Sequence, residues 1–178
     1  MRLAYADPPY PGCAHLYRDH PDYAGEVDHL ALLRRLAEYD GWVLHTSSTA
    51  LEDVLALARE AGVSGHRIMA WTKPFAAFKR NVSVAYAWEP VLVKAARKPV
   101  VTHEVVMRDW LAEPMTLKKG LTGAKPAAVC RWLFHCMGAE PADEMNDLFP
   151  GTGAVSATWN AWSGRTAAEP LPLLEPAP

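Results

Sequence analysis

The chain has 178 residues, half of them apolar, which is enough for one domain with a substantial core. A formal net charge of -2 and a pI near 6.4 exclude a protein that is basic overall, so any nucleic-acid-binding surface must be local. Three scattered cysteines exclude a disulfide framework and a Cys-x-x-Cys zinc site. No apolar run approaches the ~20 residues of a membrane span. The first residues also lack a signal-peptide pattern, so we expect a cytoplasmic protein with no membrane partner.

A short apolar segment near the start, Leu3-Ala4-Tyr5-Ala6, predicts a buried strand, and Asp7-Pro8-Pro9-Tyr10 follows it directly. Pro8 lacks the amide hydrogen that a sheet requires, and Pro9 biases Pro8 toward an extended conformation. The resulting stiff turn offers a carboxylate, backbone carbonyls and an aromatic ring. These groups suit a flat ring that carries an exocyclic amine, because the carboxylate and a carbonyl accept its N–H groups while Tyr10 stacks on the ring.

Helical and strand patterns alternate in the next part of the chain. Apolar residues spaced by three and four predict a helix over residues 26–39 that ends near Asp40-Gly41, where glycine permits the final turn. A second helix is predicted over residues 50–61, with Gly62 closing it. Buried strands are predicted over residues 41–46, 66–71 and 85–94, the last entered through a Glu89-Pro90 turn. This alternation predicts an α/β fold with a mostly parallel sheet flanked by helices.

Three histidines, His15, His20 and His29, lie near one another in the sequence. Their spacing matches no helical i, i+4 pair, and no pattern of acidic partners accompanies them. We therefore interpret them as surface or pocket-rim residues and expect no metal site.

Aromatic and basic residues stand together after the third predicted strand. Lys73 ends that strand, and Phe75, Phe78, Lys79 and Arg80 follow it. Aromatic side chains interleaved with cations can stack on bases and neutralise phosphates. Alternatively, the phenylalanines tuck under the edge of the sheet, and the sequence leaves both interpretations open.

A second motif lies near the C-terminus, where Asp147-Leu148-Phe149-Pro150-Gly151-Thr152-Gly153 follows an apolar approach and precedes a helix start. This pattern predicts the strand, glycine loop and helix of a nucleotide-type cofactor site. Gly151 and Gly153 allow the backbone to approach a ligand, because no Cβ occupies the space. Upstream, Lys125-Pro126 opens a helix predicted over residues 127–137.

The two motifs together resemble a known enzyme family. Asp-Pro-Pro-Tyr at residues 7–10 resembles motif IV, and Asp-x-Phe-x-Gly-x-Gly at residues 147–153 resembles motif I, of the S-adenosylmethionine-dependent amino-methyltransferases. Members of that family methylate the exocyclic nitrogen of adenine (N6) or cytosine (N4). A catalytic motif that precedes the cofactor loop is the order of one class, often called the beta class. Looser likenesses are Lys125-Pro126 to motif X, and Trp71-x-Lys73 and Trp88-Glu89-Pro90 to later strands of the catalytic region.

The resemblance implies a circularly permuted, Rossmann-like methyltransferase fold with S-adenosylmethionine as its cofactor. Residues 1–165 would form a minimal methyltransferase domain, and residues 166–178 a Pro-rich flexible tail. Residues 97–119 stand where a target-recognition domain is common in the family, but they are too few for an independent core. The family normally continues into a strand that ends in a ribose-binding acidic residue. Here Glu169 lies at a suitable distance, but no apolar run precedes it.

The resemblance also implies roles for particular residues. The implied catalytic residues are Asp7, Pro8, Pro9 and Tyr10. The implied cofactor contacts are Asp7, Lys125, Asp147, Phe149, Gly151 and Gly153, with Asp147 facing the cationic amino acid moiety. The expected substrate contacts are Tyr10, Lys73, Phe78, Lys79 and Arg80.

The implied function is methyl transfer to the exocyclic amine of a nucleobase, with N6 of adenine in DNA favoured by the Asp-Pro-Pro-Tyr form of the motif. The alternatives are N4 of cytosine, RNA or a small-molecule amine as the acceptor. A non-catalytic scaffold that kept the fold is a further alternative, suggested by the short C-terminal half. The small recognition region favours low sequence specificity, or a homodimer or partner subunit that supplies specificity.

Overall fold

The computed structural model describes residues 1–18, 25–75, 82–99, 107–116 and 124–165. In this part of the chain six strands form one sheet: β1 (Arg2–Ala6), β2 (Gly41–His45), β3 (Arg67–Thr72), β4 (Trp88–Lys94), β5 (Trp110–Ala112) and β6 (Glu144–Asp147). Their order across the sheet is β5-β3-β4-β2-β1-β6. Strand β1 pairs in parallel with β2 and β6, and β3 pairs in parallel with β5. Strand β4 runs antiparallel to its neighbours β2 and β3, so the predicted, mostly parallel sheet is confirmed.

Helices cover both faces of the sheet. The helices are α1 (His29–Leu36), α2 (Leu51–Glu60), α3 (Ala127–Cys136) and α4 (Ala154–Trp162), and a short 3-10 helix, Ala14–Tyr17, follows the Asp-Pro-Pro-Tyr turn. Side chains alternate between the faces of a strand, so Ala4 and Ala6 of β1 pack with α1 and α2, whereas Leu3 and Tyr5 pack with α3 and α4. Burial on both faces explains why β1, β2 and β4 contain continuous runs of buried residues instead of alternating buried and exposed ones.

The helix boundaries follow from local capping groups. Asp28 caps α1, because its Oδ1 accepts a hydrogen bond from the backbone N–H of Ala31 at 2.9 Å. The Ser47 hydroxyl accepts from the N–H of Ala50 at 3.1 Å, one turn before α2. Gly62 has a φ of +70° and closes α2, as predicted.

Three local predictions are wrong, each because tertiary contacts override the local pattern. The first helix ends at Leu36, not near Asp40-Gly41. Gly41 begins β2, as the strand predicted over residues 41–46 requires, and a Cβ there would lie 2.7 Å from the backbone nitrogen of Ala96. Glu89 and Pro90 do not form a turn but lie inside β4, opposite Trp71 and Ala70 of β3. His29 is not at the surface. It is buried in the first turn of α1, with its Nδ1 at 2.9 Å from the carbonyl oxygen of Val27.

None of the helices among the described residues is long and apolar enough to cross a membrane. The described residues end at 165, so the predicted tail over residues 166–178 and Glu169 lie outside the described part of the chain. Residues 1–165 as a minimal methyltransferase domain therefore remain a prediction.

Asp143, just before β6, joins several segments at the edge of the sheet opposite the Asp-Pro-Pro-Tyr turn. Its carboxylate accepts two hydrogen bonds from the Arg97 guanidinium, at 2.6 and 2.9 Å, and one from the amino group of Met1 at 2.8 Å. The backbone N–H of Glu140 donates to it as well, at 2.8 Å. The hydrogen bonds from Arg97 lower the pKa of this buried carboxyl well below its usual value, although burial opposes the shift.

We predict that Asp143→Asn lowers the free energy of unfolding by about 2–3 kcal/mol at pH 7, because a buried, bidentate charge pair loses one partner. A carboxyl with a lowered folded pKa stabilises the protein above its unfolded pKa of about 3.9 and loses that contribution as the pH falls toward the folded pKa. Urea unfolding at pH 7 and at pH 3 should therefore show a smaller difference between wild type and variant at pH 3.

Glu140→Gln provides a matched control for this measurement. The Glu140 side chain is 61% exposed and lies 3.8 Å from the same guanidinium, so its loss should change stability by less than about 1 kcal/mol. Equal effects of the two substitutions would contradict the assignment of Asp143 as the joining group.

Candidate active site

Polar and charged side chains from five separate segments meet at the edge of the sheet where the parallel strands end. Asp7 follows β1, His45 ends β2, Lys73 follows β3, and Lys125 lies two residues before α3. Glu89 joins them from the beginning of β4, because an antiparallel strand begins at the edge where its neighbours end. Ligands bind at this edge in open α/β sheets.

Lys125 is the centre of this cluster. Its ammonium group lies 2.8 Å from Oδ2 of Asp7 and 3.2 Å from Oε1 of Glu89, and its side chain is only 7% exposed. Burial disfavours a charged amine, but the two carboxylates outweigh this effect and raise the pKa of Lys125 above its usual value. Lys125 therefore remains protonated at neutral pH and cannot accept a proton.

A chain of hydrogen bonds continues from Glu89 into the core. Oε1 of Glu89 accepts from Nδ1 of His45 at 2.6 Å, and Nε2 of His45 lies 2.7 Å from the Tyr5 hydroxyl. Because an ionised carboxylate can only accept, Nδ1 carries the hydrogen, and in the neutral ring Nε2 accepts from Tyr5. On the other side, Lys73 donates to Oε2 of Glu89 at 3.0 Å, and its ammonium lies 4.6 Å from the centre of the Trp71 ring.

Glu89 is ionised although it is buried. Burial raises the pKa of a carboxyl, but Lys125, the hydrogen bond from His45 and Lys73 together lower the pKa of Glu89 well below its usual value. Two ammonium groups face two carboxylates, so the cluster of Asp7, Glu89, Lys73 and Lys125 carries no formal net charge.

The cluster is a poor site for a metal ion, and the nearby cysteine is a poor nucleophile. Ligand atoms of Asp7, His45 and Glu89 lie within 4.8 Å of one another, but Lys125, Lys73 and Tyr5 already contact them, so a cation would have to displace two ammonium groups. Cys130 lies 4.0 Å from the Tyr5 hydroxyl. Burial raises the pKa of its thiol to about 11, so it is not an activated nucleophile.

The glycine loop lies beside the Asp-Pro-Pro-Tyr turn, because β6 is the neighbour of β1. The backbone N–H of Leu148 donates to the carbonyl of Tyr5 at 2.9 Å and continues the pairing past the end of β6. Gly151 and Gly153 have φ angles of +44° and +73°, which favour glycine. A Cβ at Gly153 would meet no atom within 4 Å, and one at Gly151 only the Phe149 carbonyl oxygen at 3.9 Å. Both glycines therefore border open space.

Asp147, the last residue of β6, has one carboxylate oxygen without a partner. The Ser156 hydroxyl of α4 donates to Oδ2 at 2.9 Å, whereas Oδ1 is buried with no hydrogen bond in the described part of the chain. Burial raises the pKa of Asp147 above its usual value, the Ser156 hydrogen bond opposes this in part, and the charge of Asp7 adds to it. A cationic ligand group would satisfy Oδ1 and stabilise the ionised carboxylate.

The other predicted site residues surround these groups. Pro8 is buried, and Pro9 and Tyr10 are partly exposed. Phe149 packs against the apolar cluster below α1 and α2. Phe78, Lys79 and Arg80 lie outside the described residues.

Two predictions change in detail. Phe75 is 64% exposed, so for this residue the interpretation that it tucks under the sheet is wrong. Lys125, assigned to the cofactor by the likeness to motif X, pairs with Asp7 and Glu89. A role in cofactor binding stays a prediction for that residue.

Sequence reasoning missed Tyr5, His45 and Glu89. The available signal was one polar side chain inside each of three otherwise apolar strands, since buried polar groups need partners. The sequence alone does not reveal that Tyr5, His45 and Glu89 are hydrogen-bonded to one another.

We predict that Tyr5→Phe destabilises the protein by about 1–2 kcal/mol, because it leaves Nε2 of His45 buried without its donor. Phenylalanine keeps the ring and its edge contact with Phe134, whose centroid lies 6.3 Å from that of Tyr5, so the change isolates the hydroxyl. Denaturant unfolding checks the value, and an unchanged stability would contradict the Tyr5–His45 hydrogen bond.

Comparisons with known proteins agree with this geometry at the level of the fold. No protein-family model and no curated protein sequence matches the chain. The crystal structure of an M1.HpyAVI–SAM complex matches with a TM-score of 0.63 at 16% sequence identity, over 91% of this chain and 77% of that chain. The crystal structure of M1.HpyAVI matches with a TM-score of 0.59 at 17% identity, over 92% and 76% of the two chains. The chain therefore has the Rossmann-like methyltransferase fold that the resemblance implied.

Proposed function

We propose that this protein is an S-adenosylmethionine-dependent methyltransferase that acts on the exocyclic amine of a nucleobase, with N6 of adenine in DNA as the favoured acceptor. The observation that carries the proposal is the placement of two carboxylates at the same ends of neighbouring parallel strands. Asp7 directly follows β1 and Asp147 ends β6, and the charge of Asp7 contributes to raising the pKa of Asp147. An amine acceptor at Asp7 and a cationic cofactor at Asp147 would therefore meet.

The cofactor side of the crevice fits S-adenosylmethionine. Oδ1 of Asp147 lacks a partner, and the cationic amino group of the cofactor would supply one. Gly151 and Gly153 border open space, so the backbone can lie against a ligand there. One of the similar structures is a complex with SAM, which supports the same assignment.

The acceptor side offers groups that match an aromatic amine. The Asp7 carboxylate and the Pro8 carbonyl can each accept one N–H of the amine, and the Tyr10 ring can stack on the base. Such hydrogen bonds pull the nitrogen toward tetrahedral geometry and localise its lone pair. When bound, the cofactor supplies an activated methyl group. The residues of the chain then contribute mainly by holding the amine in line with it.

A cleft of about 430 Å³ at the start of β4 could hold more of the acceptor. It is lined by Ser48, Val82, Ser83, Val84, Ala85, Tyr86 and Trp88. Trp88 directly precedes Glu89 in β4 and is 40% exposed, so its side chain lies at the same strand end but on the opposite face of the sheet from Glu89. Its exposed ring offers a face on which a base could stack. A base in duplex DNA must leave the helix to reach such a site.

We further propose that the enzyme works in the cytoplasm, with a homodimer or partner subunit supplying the specificity that its short recognition region lacks.

The defining experiment is transfer of labelled methyl from S-adenosylmethionine to duplex DNA, single-stranded DNA and RNA in parallel, followed by nucleoside digestion. We expect label in N6-methyladenine from DNA. Label in N4-methylcytosine or in RNA would correct the acceptor and keep the reaction. No label, together with no calorimetric binding of the cofactor, would overturn the proposal and favour a scaffold.

Asp7→Ala should reduce methyl transfer by at least about 100-fold, because it removes the acceptor of the amine hydrogen. Cofactor affinity, measured by calorimetry, should change little. Asp53→Ala is the control, since Asp53 is exposed on α2. A wild-type rate for Asp7→Ala would contradict the catalytic assignment.

Gly151→Val should abolish cofactor binding, because valine is strained at a φ of +44° and its side chain fills the open space. Gly62→Val imposes comparable strain at a φ of +70°, but at the end of α2, and it should leave cofactor affinity unchanged. Calorimetry on both variants separates local strain from loss of the binding loop. Unchanged affinity in Gly151→Val would mean that the cofactor binds elsewhere.

A further inference from the structure

We propose that Lys125 and Glu89 are positioning residues that orient the Asp7 carboxylate for the acceptor amine. This inference rests on the proposed function and deepens it. It gives Lys125 a role different from the cofactor contact that its place in the sequence suggested.

The first step is the contact between Lys125 and Asp7. The ammonium lies 2.8 Å from Oδ2, whereas the Asp7 side chain keeps 20% of its surface exposed. With Oδ2 held by a charge-assisted hydrogen bond, Oδ1 is the oxygen left for a substrate N–H. A carboxylate held at one oxygen presents the other in a fixed direction, and fixed direction is what in-line transfer requires.

The second step is the support that Glu89 gives to Lys125. A lysine side chain has many rotamers, so a single contact with Asp7 would not fix it. Glu89 holds the same ammonium at 3.2 Å and is itself held by His45 at 2.6 Å and Lys73 at 3.0 Å. His45 is in turn hydrogen-bonded to Tyr5 inside β1, the strand that Asp7 directly follows. The chain of contacts therefore begins at Tyr5 in β1 and returns to Asp7, one residue beyond the end of that strand.

Other roles for Lys125 fit the contacts less well. Its two carboxylate neighbours hold it protonated, so it cannot act as a base. Its described polar contacts are with Asp7 and Glu89, and its ammonium lies 5.6 Å from the centre of the Trp71 ring. A cofactor contact would instead require the ammonium near Asp147 and the glycine loop.

The test measures two quantities for each variant: the single-turnover rate of methyl transfer at saturating S-adenosylmethionine, and the cofactor dissociation constant from calorimetry. Lys125→Met and Glu89→Gln should each lower the rate by about 100-fold, the effect of small misplacement of a reacting group. The dissociation constant should stay within about threefold of wild type, because neither group contacts the cofactor.

Two further variants test whether both residues act through Asp7. Lys125→Arg keeps the charge with a different shape, and its rate should lie between those of wild type and Lys125→Met. The double variant Lys125→Met/Glu89→Gln should be no slower than the slower single variant, because the two residues form one support. If Lys125→Met does not fold, Lys125→Arg and Glu89→Gln still decide the question.

Lys98→Met and Glu60→Gln are the controls, since both side chains are exposed and lie away from the cluster. A weaker cofactor affinity with an unchanged saturated rate would overturn the inference and return Lys125 to the cofactor. Unchanged rates, additive losses in the double variant, or an arginine variant as slow as the methionine variant would overturn it as well. Failure of the wild-type protein to transfer methyl to any acceptor would instead count against the proposed function, so the two failures are distinguishable.

Discussion

A single desolvated carboxylate, Glu89, is the group on which the polar interior depends. A buried charge is expensive unless it is paired and hydrogen-bonded, and Glu89 meets that demand with two lysines and one histidine. Each partner comes from a different strand end or helix start. Satisfying one carboxylate therefore brings β2, β3 and α3 to a common point beside Asp7. Loss of any partner would leave one hydrogen-bonding position of this buried carboxylate unsatisfied, so the cluster favours one arrangement of the sheet edge.

The antiparallel strand is what makes this arrangement possible. Parallel strands deliver only their final residues to the ligand-binding edge, whereas β4 delivers its first residues, Trp88 and Glu89. Glu89 thus arrives from inside a strand, already rigid and flanked by β2 and β3. Residues of the loop before β4 line the cleft of about 430 Å³. One strand of reversed direction therefore supplies both a buried anion and an exposed aromatic face at the same edge.

Sequence reasoning reached the α/β fold, the strand before residues 7–10, and the strand and helix on either side of the glycine loop, because those depend on local signals. Apolar runs indicate buried strands, the prolines at residues 8 and 9 restrict the backbone, and the glycines at residues 151 and 153 permit the positive φ angles of their loop. It did not reach the Tyr5–His45–Glu89 chain, since those residues lie 40 and 44 positions apart and meet only after β4 has inserted. Glu89-Pro90 was misassigned to a turn for the same reason. Local propensity places a proline outside a strand, and it cannot show that Pro90 lies inside β4 and pairs with Ala70 of β3.

The position of β1 between β2 and β6 also bears on how the molecule folds. Leu3 pairs with Gly41 on one side and with Met145 on the other. One edge of β1 therefore stays unpaired until β6 has been synthesised and can pair with it. Contacts of such long sequence separation close slowly, because the entropy of the intervening loop is lost before they form. The carboxylates of Asp7 and Asp147 come together in that same late step, so a partly synthesised chain has no crevice, and the site appears only when folding is complete.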